Sequence, residues 1–336
     1  TILPYLSEKN STTIHQLVTE YSENLNDLEN KFKSIKIIDP ACGSGAFLIK
    51  AAEVLLEIYH AIQEERKLQG GYTAEVKRRK RSSTQKLATL DEQIDEARMK
   101  EIIENNIFGV DLSEESVGIT KLSLFLKLSV VEKKLSDLSK NIKVGNSIID
   151  DKSIDSRAFN WNQEFNDVFQ NGGFDIVIGN PPYVRQELFK EIKPHLKSKF
   201  ASYNSIADQF VYFVEQGISK LTKNGFFGFI TPNKFKVVNY GRELRTYLKD
   251  NTKLKLIYNF DEYPIFLDAS TYTLILMLEK NQNPKPYDFT YAKLKDMKSP
   301  HPFLDLKKSE IKINSDTLTP EPWIFLNPEE GKTLKK

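Results

Sequence analysis

"IKIIDPACGSGAFLIKAAEVLL" (Ile35–Leu56) decides the fold. Ile35–Asp39 is a short apolar run that ends in an acid. Gly43 and Gly45 then punctuate a turn, and apolar residues return at helical spacing from Ser44 to Ile62. Strand, glycine turn and helix in that order begin an alternating α/β chain. The same unit recurs downstream. "NIFGVD" (Asn106–Asp111) is a strand, Ser113 caps the next helix, "NIKVGNSII" is a third strand with its exit loop, and "FDIVIG" is a fourth. "ADQFVYFVEQGISKL" is a helix, "GFFGFITP" a fifth strand, "GRELRTYLKD" a helix and "KLKLIYNF" a sixth strand. "STYTLILMLEK" is the seventh, and its short connection to the sixth makes it antiparallel. These elements predict a seven-stranded, mostly parallel sheet with helices on both faces. Ligands of such sheets sit beyond the carboxyl ends of the strands.

The organisation read from the sequence is a polar helical lead-in over residues 1–34 and a catalytic unit over 35–284. A helical hairpin is inserted at 66–104, and an extension occupies 285–336, where the alternation stops. The net charge of +2 does not by itself announce a nucleic-acid partner. The single cysteine, Cys42, excludes an internal disulfide framework and a cysteine-based zinc site, and it fits a reducing cytoplasm. No apolar run is long enough to span a membrane, and the first residues do not read as a signal peptide.

The glycine turn fails both common phosphate-binding patterns. Leu48 stands where the dinucleotide pattern needs glycine, and Ala46 comes after Gly45 where a phosphate loop needs lysine. What remains is a turn beside an acid, Asp39, that repels phosphate and attracts an ammonium group. S-adenosylmethionine carries an ammonium and no phosphate. Asp111, at the end of the second strand, suits two ribose hydroxyls, and Asn146 could reach an adenine amino group. The bland alternative is that both acids only cap the helices after them.

"GNPPYV" (Gly179–Val184) interrupts the fourth strand with a stiff corner. Adenine's exocyclic nitrogen is a poor nucleophile because its lone pair is delocalised into the ring. An amide oxygen from Asn180 and a backbone carbonyl from Pro181 could each accept one of its N–H groups and direct the lone pair at a methyl donor. Pro182 keeps the corner rigid, and Tyr183 offers a face for stacking.

"DPACGSGAFL", "GVDLS" and "GNPPY", in that order, resemble the N6-adenine DNA methyltransferases of restriction–modification systems. More narrowly, they are similar to the gamma-class enzymes of type IIG restriction enzymes, over roughly residues 35–280. The tetrapeptide alone also occurs in methyltransferases for protein glutamine and for guanine in RNA. The resemblance implies the class I S-adenosylmethionine-dependent fold, S-adenosylmethionine as cofactor, double-stranded DNA as partner and no metal. It implies a cofactor site of Asp39, Pro40, Ala41, Cys42, Gly43, Gly45, Phe47, Asp111, Leu112, Asn146, Ser147 and Asn180, with Leu112 packing on the cofactor's adenine. Asn180, Pro181, Pro182 and Tyr183 would be catalytic, and Phe266 would be the second aromatic face of the base clamp. The rivals are a methyltransferase for RNA or protein glutamine and a non-catalytic DNA-binding module.

"TILPYL" resembles the stretch just after the family's opening segment, and no acid–acid–lysine nuclease signature is visible. A longer protein with a target-recognition domain is therefore expected, and the sequence leaves open whether a nuclease domain shares that chain. "KRRKR" (Lys77–Arg81) reads as a solvated charge run or a phosphate contact. Val184–Phe200 mixes basic and aromatic residues and reads as a lid near the DNA backbone.

Overall fold

The computed structural model describes residues 1–9, 11–70, 84–127, 137–266 and 271–325. Three helices lead in: α1 (Ile2–Leu6), α2 (Ile14–Glu20) and α3 (Leu25–Ser34). Then come β1 (Ile37–Asp39), α4 (Ala46–Gln69), α5 (Thr84–Asn106), β2 (Ile107–Asp111), α6 (Glu114–Leu126) and β3 (Ile142–Val144). Two short helices, α7 (Trp161–Glu164) and α8 (Asn166–Gln170), precede β4 (Phe174–Gly179). The second half holds α9 (Lys193–Lys199), α10 (Phe210–Lys220), β5 (Leu221–Pro232), α11 (Arg242–Asn251), β6 (Thr252–Asn259) and β7 (Thr273–Lys280). It closes with β8 (Asp288–Lys293), α12 (Pro302–Lys308) and β9 (Ile311–Asn314).

The strands form one sheet in the order β3-β2-β1-β4-β5-β7-β6-β8-β9. β1 to β5 pair in parallel, and β7 lies antiparallel between β5 and β6, as its short connection to β6 predicts. Neighbouring residues of one strand divide between two cores. Ile38, Phe108, Val177 and Phe227 face the side of α10 and α11, while Ile37, Ile107, Ile176 and Phe226 face the side of α1 to α6. A sheet covered on both faces needs continuous apolar runs, which is why its strands do not alternate in sequence.

Two expectations need correction. The sheet has nine strands rather than seven. β8 pairs in parallel with β6, and β9 antiparallel with β8, so residues beyond 284 extend the sheet. "DFTYAK" and "IKIN" are short and come after the proline-rich "NQNPKPYD", which hides them from periodicity. α4 also runs unbroken to Gln69, past the expected start of the inserted hairpin at residue 66. Its apolar stripe of Leu48, Ala51, Ala52, Leu55, Ile58, Tyr59 and Ile62 is buried, and the last turns continue it as a solvated end. α5 packs back along α4, with Arg98 4.3 Å from the ring of Tyr59 and a 2.7 Å contact between His60 Nε2 and Asp95 Oδ1. Lys77–Arg81 lie outside the described residues.

Candidate active site

The carboxyl ends of β1, β2 and β4 lie side by side, with Asp39 opposite Gly109 and Asp111 opposite Val144. Asp39 is buried, and its Oδ1 accepts the Ala41 N–H at 3.0 Å. Burial, with the charge of Asp111 nearby, pushes its carboxyl up to about 7. Asp111 Oδ2 accepts the Gly43 N–H at 2.8 Å, and its Oδ1 accepts the Ser113 N–H at 2.9 Å. One acid therefore ties the glycine turn of β1 to the helix start after β2. Thr120, on α6, donates its hydroxyl to the Gly43 carbonyl at 2.7 Å.

Gly43 has φ +53°, and a Cβ added there would meet nothing within 4 Å. The turn therefore presents bare backbone to open space, the form that close approach of a ligand requires. Leu112, next to Asp111, is 42% exposed. Gly179 is needed for space: a Cβ there would lie 2.6 Å from Asp39 Oδ1.

Other residues of the expected cofactor set are committed elsewhere. Ser147 is buried and donates to the Pro40 carbonyl, so it holds the turn from behind. Cys42 is buried in the core, its N–H on the Val110 carbonyl, and burial pushes its thiol up. Asn146 donates to Asp155 Oδ2 at 2.8 Å and accepts the Ile148 N–H at 3.3 Å. Its amide shapes its own loop. Phe47 lines a groove of about 960 Å³ with Ile2 and Pro4 on one side and Lys255 and Met277 on the other. Asp39, Asp111 and Asn180 do not line that groove.

Asn180 and Tyr183 meet directly. The Tyr183 hydroxyl donates to Asn180 Oδ1 at 2.5 Å and lies 3.3 Å from the Ile230 carbonyl. Pro181 is buried and Pro182 is partly covered. Burial pushes the Tyr183 phenol up, which keeps it a neutral donor. After the corner, the Gln209 N–H reaches back to the Val184 carbonyl at 3.0 Å. The next segment docks on the loop after β3, through Lys199 Nζ to Asp150 Oδ2 at 2.9 Å. Phe266 is half-buried in the loop between β6 and β7, at the same edge of the sheet, and belongs to none of the buried clusters. Thr120 was not legible from the sequence, because it acts only through the Gly43 carbonyl, 77 residues away. Among the described residues no cluster of metal-ligating side chains occurs, and no helix is long and apolar enough to cross a membrane.

Known proteins resemble the chain in sequence and in fold. Residues 105–266 match the Eco57I restriction-modification methylase family, and residues 25–125 match the RMKL-like methyltransferase domain. The chain is 30% identical over 302 residues to the type II restriction enzyme and methyltransferase RM.Eco57I of Escherichia coli, covering 85% of this chain and 28% of that protein. It is 24% identical over 337 residues to the type II methyltransferase M.BstVI of Geobacillus stearothermophilus, covering 95% of this chain and 52% of that one. The chain thus spans between about a quarter and a half of these relatives. Its fold is shared with the type IIL restriction-modification enzyme MmeI, at a TM-score of 0.57 and 15% identity, over 90% of this chain and 37% of that one. The sheet is mostly parallel with helices on both faces, and by sequence the chain is similar to the restriction–modification methylases.

Proposed function

We propose that this chain carries the methyl-transfer site of a DNA methyltransferase that acts on the N6 amino group of adenine in double-stranded DNA. The observation that supports it most is the order of parts along one sheet edge. A bare glycine turn held by Asp111 ends β1, and the Asn180–Tyr183 corner ends the adjacent β4. S-adenosylmethionine would supply a methyl group on a sulfonium, an intrinsically good leaving group. Gly43 and its neighbours would lie against it, Asp111 would receive its ribose hydroxyls, Leu112 would cover its adenine, and Asp39 would face its ammonium group.

The rest falls to the corner. A target base inside a duplex has to be extruded to reach it. Asn180 Oδ1 keeps a second lone pair beside the one that Tyr183 occupies, and can accept one adenine N–H. The Pro181 carbonyl can accept the other. No side chain needs a tuned pKa, because both acceptors are neutral. Tyr183 and Phe266 would cover the two faces of the base. A target-recognition domain would be supplied by further chain in a longer cytoplasmic protein.

The test uses the full-length enzyme with methyl-labelled S-adenosylmethionine and three substrates: duplex DNA, ribosomal RNA and cell protein. Label in N6-methyladenine of the duplex supports the proposal. Label in RNA guanine or protein glutamine instead, or cofactor binding with no transfer at all, would replace it with one of the rival readings.

A further inference from the structure

The loop between β6 and β7 carries Phe266, and one residue outside that loop holds both of its ends. Asn233 is the first residue after β5. Its backbone N–H donates to the Tyr272 carbonyl at 2.9 Å, on the leg that enters β7. Its side-chain Nδ2 donates to Asn259 Oδ1 at 3.1 Å and lies 3.5 Å from the Asp261 carbonyl, both on the leg that leaves β6. An asparagine has three N–H donors, and all three serve this loop.

The receiving side is built to match. Asn259 is buried, and its Oδ1 also accepts the Asp261 N–H at 3.2 Å. Asp261 sits at φ +55°, a left-handed conformation that its residue type tolerates. Its carboxylate meets Lys293 of β8 at 3.0 Å, so the added strand braces the same leg. The Phe260 N–H closes the neck on the Thr273 carbonyl at 3.2 Å. Three residues before Asn233 on β5, the Ile230 carbonyl lies 3.3 Å from the Tyr183 hydroxyl. One strand end therefore touches the Tyr183 corner and fixes the Phe266 loop.

We propose that Asn233 is a positioning residue that sets the spacing between the two aromatic faces, Tyr183 and Phe266, of the target-base clamp. It touches neither base nor cofactor. The assignment rests on the proposed adenine methylation.

Two isosteric variants of the full-length enzyme separate positioning from general stability. Asn233→Asp turns the donor into an acceptor aimed at Asn259 Oδ1 and the Asp261 carbonyl. Asn259→Asp keeps the acceptor that Asn233 needs. Methylation is measured on duplexes with a paired and with a mismatched target adenine, beside hydrogen exchange of the peptide spanning residues 260–266. Asn233→Asp should slow methylation of the paired adenine about tenfold, since a small misplacement of a positioned group is costly. The mismatched adenine should suffer less, because its extrusion costs less. Exchange in 260–266 should rise, and Asn259→Asp should resemble wild type in each readout. Equal losses on both duplexes with unchanged exchange would overturn the role, as would an Asn259→Asp variant no better than Asn233→Asp. If the wild type methylates neither duplex, the adenine reading fails, and the exchange comparison still decides whether Asn233 orders the loop.

Discussion

The two halves of the sheet edge meet their ligands differently. On the cofactor half, the polar groups of the turn are already paired with protein: Asp111 with Gly43 and Ser113, Thr120 with Gly43, and Ser147 with Pro40. What faces outward is bare backbone at Gly43 and an exposed Leu112. On the target half, the group proposed for catalysis is itself engaged, with Asn180 Oδ1 receiving the Tyr183 hydroxyl. The proposed cofactor half is a finished mould, whereas the proposed target half is paired with itself. A preorganised site loses little entropy on binding. A self-paired one shares its acceptor oxygen with the base, so its net gain per contact is small and its selectivity comes from geometry.

The sharpest way to break this comparison is Asn180→Ala. Removal of a positioned polar contact at the reacting centre costs on the order of a hundredfold in turnover or more. S-adenosylmethionine affinity, measured by calorimetry, should fall far less than turnover does. A parallel loss of both would mean that the halves are not separable.

Asp111→Ala is the mirror experiment. It removes the acceptor for the Gly43 N–H and, in the proposed complex, the acceptor for the ribose hydroxyls. Charge-assisted hydrogen bonds are each worth about 1.5–3 kcal/mol, so cofactor affinity should fall at least about tenfold. Turnover at saturating cofactor should fall much less than in Asn180→Ala. Unchanged affinity in a folded variant would sink the ribose assignment.

The difference between the halves also explains what the sequence discloses. Strand ends, the glycine turn and the Asn-Pro-Pro-Tyr corner are local features, and each lies where its residues predict. Asn146 resisted such a reading because its partner, Asp155, lies in an irregular loop with no periodic signal. Ser147 looks like a ligand contact and is a brace, because the carbonyl it serves belongs to Pro40, 107 residues upstream. Strands β8 and β9 were invisible for a related reason. Strands this short gain most of their stability from the edge they join, and that edge exists only after β6 and β7 have paired.

Asp39 gives the comparison a pH axis. Its carboxyl is raised to about 7 in the folded chain, from an ordinary value near 4. The folded state therefore holds this proton more tightly than the unfolded chain does. Its contribution to stability is fully present at low pH and fades between about pH 4 and 7 as the buried group is forced to ionise. An ammonium ligand favours the ionised form, so cofactor affinity should move the opposite way. It should rise about threefold from pH 6.5 to 7.5, as a single group with this pKa would require. Asp39→Asn should flatten both trends, in thermal melts and in calorimetric titrations with S-adenosylmethionine. A melting curve for the wild type that is as flat as that of Asp39→Asn would remove Asp39 from the account.

The smallest effect belongs to Tyr183→Phe. The variant keeps the ring, and with it the stacking face worth roughly 1–3 kcal/mol per base. It deletes only the hydroxyl, which donates to Asn180 Oδ1. Two consequences oppose each other. Asn180 loses the partner that orients its amide, which should lower turnover. A base no longer has to share or displace that partner, which should strengthen binding of an extruded adenine. Each contribution is about the net worth of one neutral hydrogen bond, roughly 0.5–1.5 kcal/mol. Turnover should therefore fall and DNA affinity rise by a few-fold each, with kcat/KM near the wild-type value. Measurement of both on a paired duplex separates them. If Tyr183→Phe lowered kcat as far as Asn180→Ala does, the hydroxyl would be part of the catalytic apparatus, and the target half would be as preformed as the cofactor half.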